Sequence, residues 1–167
     1  EVFVSGGTYS SLGETNGGQN DGFVMKLTSA GALDTSFATN GIFQLGDVST
    51  PGDANSYDMF MDLKFDASSK VVVTGKAESY VEEVGSSNDT VLLRLNTNGT
   101  LDNTFDSNGV VHFGQDTLGA ENMSGNEYVE AMTIGPTGAI YLTGQTTSNL
   151  GDFHAGGEDP FFMIFNP

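Results

Sequence analysis

The chain contains one long segment twice: SAGALDTSFATNGIFQLG at residues 29–46 returns as TNGTLDNTFDSNGVVHFG at residues 97–114. Each copy follows a short alternating run, DGFVMKL at 21–27 and DTVLLRL at 89–95. Between 21–46 and 89–114, nine of 26 positions are identical and most of the others are conservative. Agreement over this length indicates a duplicated structural unit.

The repeat extends in both directions. VFVSG at 2–6 returns as VVVTG at 71–75 and as IYLTG at 140–144, and the last glycines are 69 residues apart each time. DPFFMIF at 159–165 is a third copy of the alternating run. These runs have the length and the two-residue period of strands, and no longer stretch has helical periodicity.

Each unit reads as four strands joined by turn residues such as Asn40-Gly41 and Asn108-Gly109. The first strand of a unit is predicted at 59–65 and at 128–134. Alternation predicts that four of its apolar residues share one face: Met59, Met61, Leu63 and Phe65. Because both faces of most strands are apolar, we predict an all-β fold of tandem four-stranded antiparallel sheets, like β-propeller blades.

The strand count sets the expected domain organisation. Ten strands make about two and a half repeats of about 69 residues, whereas a closed propeller has about 4–8 blades. Residues 1–167 are expected to form one β-repeat domain: a partial blade plus the next first strand (1–65), a central repeat (66–134) and a partial third repeat (135–167). The favoured interpretation is a fragment of a larger propeller; the alternatives are a subunit completed by its own copies and an open array.

The composition excludes several classes of protein. The 167 residues include 22 acids against five Lys and Arg, for a net charge of -17, and no Cys or Trp. A nucleic-acid partner is excluded by the charge, a disulfide framework by the missing Cys, and membrane insertion by the lack of a long apolar run. The scarcity of cations and the many small polar residues favour an extracellular or cell-surface setting.

The segment LRLNTNGTLDNTFDSNGVVHFG at 93–114 resembles the bacterial delta-60 repeat, whose core is R-x-N-x-x-G-x-L-D-x-x-F-x-x-x-G. The motif residues in the two copies are Leu33, Asp34 and Phe37, and Leu101, Asp102 and Phe105. EVFVSGGTYSS at 1–11 and AIYLTGQTTSN at 139–149 resemble the related SBBP repeats. The resemblance implies a propeller fold and a mostly extracellular bacterial setting, and it implies no reaction.

Two sets of acids invite a functional interpretation. Asp34 and Asp102 are predicted to cap their turns, while the Leu and Phe of the motif fill the core between blades. Asp21, Asp89 and Asp159 open the third strand of each unit after long loops that contain Glu14, Glu78, Glu82, Glu83, Asp152 and Glu158. Because Ca²⁺ takes about 6–8 oxygen ligands, these three aspartates are candidate ligands for a structural Ca²⁺. No other cofactor is predicted.

The remaining candidate residues carry weaker signals. His112 and His154 have no second His or Cys nearby in sequence, so we predict no metal or acid–base role for them. Loop aromatics at Tyr9, Tyr80 and Phe153 are compatible with stacking on sugars. No acid has the sequence context of a catalytic residue.

The sequence therefore predicts a non-enzymatic extracellular structural or adhesive module that self-assembles through open blade edges. Its expected partners are copies of itself or the rest of a longer chain. One alternative is a propeller domain that binds glycans or a protein. A second alternative is part of a secreted hydrolase whose catalytic blades lie outside this chain.

Overall fold

Three antiparallel sheets follow one another along the chain. The structure, a computed structural model, describes residues 1–17, 19–45, 57–81, 85–106, 108–113, 125–147 and 156–166. These residues form ten strands: β1 (Val2–Thr8), β2 (Asp21–Leu27), β3 (Ile42–Leu45), β4 (Met59–Phe65), β5 (Val71–Val81), β6 (Gly85–Leu95), β7 (Val110–Phe113), β8 (Glu127–Ile134), β9 (Ile140–Thr146) and β10 (Asp159–Phe165). In the described part of the chain, no helix is long and apolar enough to cross a membrane.

Consecutive strands pair in order. Sheet 1 has the order β1-β2-β3, sheet 2 the order β4-β5-β6-β7, and sheet 3 the order β8-β9-β10. Every pairing within the sheets is antiparallel. The prediction of an all-β fold made of propeller-like blades is confirmed. Sheet 2 is the four-stranded unit, sheet 1 holds the equivalents of its last three strands, and sheet 3 the equivalents of its first three.

The apolar core lies between the sheets. One buried cluster joins sheets 1 and 2 and includes Val24, Phe60 and Val73. A second joins sheets 2 and 3 and includes Leu92 and Leu142. Sheet 2 is therefore buried on both faces, which explains why its strands read as nearly continuous apolar runs.

A β-bulge interrupts the first strand of sheets 2 and 3. The pairing of β4 with β5 shifts between Phe60 and Asp62, so Met61 is an extra residue. The prediction that Met59, Met61, Leu63 and Phe65 share one face is wrong, because the extra residue reverses the alternation beyond it. Phe60 pairs with Gly75 and Leu63 with Val73, which puts these two side chains against sheet 1. β8 has the same shift between Val129 and Ala131.

The bulge explains one repeated glycine. Gly75 and Gly144 are equivalent positions on the second strands, β5 and β9. A Cβ atom on Gly75 would lie 2.0 Å from the carbonyl oxygen of Met59, and one on Gly144 would lie 1.9 Å from that of Tyr128. The bulged strand thus occupies the space that any side chain at these positions would need.

Gly75→Ala and Gly144→Ala should therefore each lower the free energy of unfolding by about 3 kcal/mol, because the added methyl displaces backbone. Gly6→Ala, at the equivalent position in sheet 1, should change it much less. There the nearest atoms to an added Cβ are the ring carbons of Phe23, at 3.3 and 3.5 Å. Urea unfolding followed by circular dichroism measures all three variants, and equal losses would contradict the explanation.

Candidate functional site

The Leu-Asp-x-x-Phe turn forms the same backbone structure in both copies. In the first, Asp34 N donates to Lys26 O at 2.9 Å, and Gly41 N donates to Phe37 O at 2.7 Å. In the second, Asp102 N donates to Arg94 O and Gly109 N to Phe105 O, each at 2.8 Å. These bonds fold the turn back onto the end of the preceding strand.

The aspartate side chain holds each turn closed. Asp34 Oδ1 accepts from the backbone N and the Oγ of Ser36, at 3.1 and 2.6 Å. Asp102 Oδ1 accepts from the backbone N and the Oγ1 of Thr104, at 3.2 and 2.7 Å. This is the local arrangement by which Asp stabilises a turn.

A cation on the preceding strand contacts the second carboxylate oxygen. Lys26 Nζ lies 2.9 Å from Asp34 Oδ2, and Arg94 Nε lies 2.6 Å from Asp102 Oδ2. Lys26 and Arg94 occupy equivalent positions in the two copies of the repeat, and the sequence analysis did not predict this ion pair. The available signal was the spacing, since the cation precedes the aspartate by eight residues in both copies.

The second copy has the denser cluster of charges. Asp102 Oδ2 also contacts Lys70 Nζ at 2.7 Å, and Arg94 lies 3.7 Å from Asp66. In the first copy, Glu1 stands where Lys70 stands in the second, and it contacts Lys26 at 3.2 Å.

The pKa values of the two motif aspartates are both depressed. Hydrogen bonds from Ser36 and Lys26 lower the pKa of Asp34 to about 2. Burial acts to raise the pKa of Asp102, but the donors Lys70, Thr104 and Arg94 outweigh it and hold this pKa well below its usual value. Both carboxylates are thus held as acceptors for a turn and a cation, which is a structural role.

The apolar residues of the motif do not all lie in the core. Phe37 and Phe105 are fully buried, one in each cluster between sheets. Leu101 packs against the cluster between sheets 1 and 2. Leu33, expected in the core, is instead 40% exposed. The described residues place no sheet beyond sheet 1 to cover it.

Asp21 is the best-enclosed of the three calcium candidates. It is completely buried at the start of β2. Its Oδ2 accepts from Gly17 N at 3.0 Å and from Gln44 Nε2 at 2.8 Å. Its Oδ1 has no hydrogen-bond partner in the described part of the chain. Gln44 also orders the preceding loop, because its Oε1 accepts from Leu12 N at 2.8 Å.

The other two calcium candidates lie in different sheets. The prediction that Asp89 opens its strand is wrong, because β5 and β6 extend their pairing to Val81 and Gly85 and place Asp89 inside β6. Asp159 does open β10. Among the described residues, no three His, Cys, Asp or Glu side chains form a group that could hold a metal ion. The structure therefore does not bring the three candidates together.

Several residues weighed in the sequence lie outside the described residues: Glu82, Glu83, Asp152, Phe153, His154 and the side chain of Tyr80. His112 lies on β7, where burial lowers its pKa and the charge of Asp89 acts in the opposite direction. The exposed ring of Tyr9 packs edge-on against Tyr57, with the ring centroids 6.1 Å apart.

Asp102→Asn should lower the free energy of unfolding at pH 7 by about 2 kcal/mol, because Lys70 and Arg94 lose their carboxylate. The pKa of Asp102 is depressed in the folded chain, so its contribution is complete above the ordinary carboxyl value of 3.8 and is lost as the pH falls below it. The variant should therefore lose less stability than the wild type between pH 5 and pH 2. Urea unfolding at several pH values tests this. The control is Asp106→Asn, an exposed position in the same turn, and an equal effect there would contradict the assignment.

The calcium prediction has a direct test. If Asp21 binds Ca²⁺, saturating calcium should raise the midpoint of thermal unfolding, because an ion that binds only the folded chain stabilises it. Asp21→Asn should abolish the rise, while Asp34→Asn should leave it intact. The absence of any calcium-dependent shift in the wild type would contradict the prediction.

The comparisons with known proteins bear on the repeat. A family model described as "Domain of unknown function (DUF5122) beta-propeller" matches residues 4–37 and 67–105. Both matched segments end on the phenylalanine of the Leu-Asp-x-x-Phe turn. Comparison with curated proteins gives no significant match. The two family matches and the three sheets together support a β-propeller repeat family for this chain.

Proposed function

We propose that this chain is a non-enzymatic extracellular structural module, built from bacterial repeats of the delta-60 or SBBP type. It assembles by stacking blade upon blade, either with copies of itself or within a longer chain. The observation that carries the proposal is the exposure of two outer sheet faces whose equivalents inside the chain are buried.

Sheet 1 has an uncovered apolar face. Val2 is 53% exposed, whereas its equivalent in sheet 2, Val71, is 1% exposed. Val4 is 40% exposed, whereas Val73 is fully buried. Val71 and Val73 belong to the cluster that packs against sheet 1. The outer face of sheet 1 is thus equivalent to the face by which sheet 2 contacts the sheet before it.

Sheet 3 has the complementary uncovered face. Phe162 is 67% exposed, and its equivalent Leu92 is fully buried against sheet 3. Ile164 is 51% exposed and replaces the cation that Arg94 provides in sheet 2. Phe162 stacks on Tyr141 at 6.0 Å between ring centroids. This face is equivalent to the one by which sheet 2 contacts the sheet after it.

The two faces therefore form a head-to-tail pair that already meets twice inside the chain. Stacking the outer face of sheet 3 on the outer face of sheet 1 of another copy repeats the internal contact. A head-to-tail contact is heterologous, so it builds a ring when it closes and a filament when it does not. Val2 and Val4 on sheet 1, and Phe162 and Ile164 on sheet 3, supply the exposed apolar area.

The repeated acids support a structural role. Asp34 and Asp102, which recur at the same place in both copies, are engaged by their turns and by Lys26 and Arg94. Their depressed pKa values keep them ionised at neutral pH, which suits an acceptor rather than a proton donor.

The chain should accordingly self-associate as its concentration rises, as measured by sedimentation velocity. Phe162→Asp and Val4→Asp should each prevent growth, because a charge enters an apolar contact. Mixed in equal amounts, the two variants should form heterodimers that do not grow further, since each variant retains only one intact face.

Asn103→Asp adds the same charge at an exposed position away from both faces and is the control. It should associate like the wild type. A wild type that stays monomeric at all concentrations, or a mixture of the two variants that forms no dimer, would contradict stacking between copies.

A further inference from the structure

The three equivalent glycines on the second strands have different surroundings. At Gly75 and Gly144, the carbonyl oxygens of Met59 and Tyr128 fill the space of a Cβ. The bulged first strand therefore accounts for glycine in sheets 2 and 3. Gly6 has the same place in β1, but no backbone atom of the described residues lies where the carbonyl lies in the other two sheets.

Within sheet 1, a Cβ on Gly6 would meet only the ring of Phe23, at 3.3 Å, and a ring edge can shift where backbone cannot. β1 pairs with β2 alone, so its other edge is free among the described residues. Glycine inside a strand weakens the strand and is often found where another backbone approaches closely. In sheets 2 and 3, that approaching backbone is observed, and it comes from the side that is free in β1.

We propose that the free edge of β1 accepts a bulged antiparallel strand of the same repeat class, one that resembles β4 and places a carbonyl over Gly6. This inference rests on the proposed function, because the strand would come from a further blade. Pairing along an open sheet edge supplies main-chain hydrogen bonds, and the bulge over Gly6 supplies the register.

The neighbouring surface fits such a strand. Between sheets 2 and 3, the first strands lie side by side, and Met132 N on β8 donates to Asp62 Oδ2 on β4 at 2.9 Å. A first strand on β1 would likewise lie next to β4. The structure has an open groove of about 510 Å³ there, lined by residues that include Phe3, Leu63 and Phe65. The incoming strand would cover these side chains.

A peptide with the sequence of residues 57–66, YDMFMDLKFD, is the probe. It is titrated into the Phe162→Asp variant, whose sheet 3 face is blocked, so that binding is read apart from self-association. Labelled peptide followed by fluorescence anisotropy should show saturable binding, and hydrogen exchange should show protection of the β1 amides. The buffer contains at least 0.15 M salt to screen the repulsion between the acidic peptide and the acidic chain.

Gly6→Ala should weaken peptide binding at least tenfold, because its methyl occupies the place of the carbonyl. Ser5→Ala, on the same strand, should bind the peptide as tightly as the Phe162→Asp chain that carries no further change, which is the parent chain. A peptide without the equivalent of Met61 should also bind at least tenfold more weakly to the parent chain, because it cannot form the bulge. This second test does not depend on how well Gly6→Ala folds.

Three results would overturn the proposal: no binding, equal binding by Gly6→Ala and its parent, or protection that maps to β10 instead of β1. Stacking between copies has its own test in the sedimentation experiment. If the chain binds the peptide but does not self-associate, only the stacking between copies is refuted. If the chain self-associates but does not bind the peptide, only the pairing of a strand with the edge of β1 is refuted.

Discussion

The arrangement depends on one constraint: a sheet that is apolar on both faces must be covered on both faces. Sheet 2 meets this condition, because sheet 1 covers one of its faces and sheet 3 the other. The equivalent strands in sheets 1 and 3 have nearly the same pattern, but among the described residues each of these sheets has only one neighbouring sheet. Exposed residues such as Val2 and Phe162 are the consequence. The uncovered faces and the tandem repeat therefore have the same physical origin.

The Leu-Asp-x-x-Phe turn links sheet 1 and sheet 2 to the apolar clusters between sheets. Its phenylalanine enters the core, and its aspartate fixes the turn to a cation on the preceding strand. The chain has 22 acids and only five basic side chains, and two of these five, Lys26 and Arg94, form this same contact in the two copies. Three of the five cations, Lys26, Lys70 and Arg94, contact the aspartates of the repeated turns. The negative charge is then a property of the surface around an apolar repeat.

Periodicity predicted the sheets well, and it failed where the backbone departs from regular pairing. The two-residue alternation of 59–65 placed Leu63 and Met59 on one face, and the bulge at Met61 separated them. The loop before Asp89 was expected to be long, and instead its ends pair as extensions of β5 and β6. The bulge and the extended pairing are both features of the backbone. The order of apolar and polar residues along the chain does not reveal either of them. The repeated glycine was visible in the sequence, but its cause was not.

The sequence by itself determined the number of repeats, the order of strands and the positions of the turns, because these depend on local periodicity and on turn residues close in the chain. It also showed that Asp34 and Asp102 are equivalent. Only the tertiary structure decided which cation each aspartate contacts and why Gly75 cannot have a side chain. It also decided which apolar faces remain uncovered. Those outcomes depend on how strands and turns pack against one another in space and on the presence or absence of a neighbouring sheet, which a local pattern does not encode.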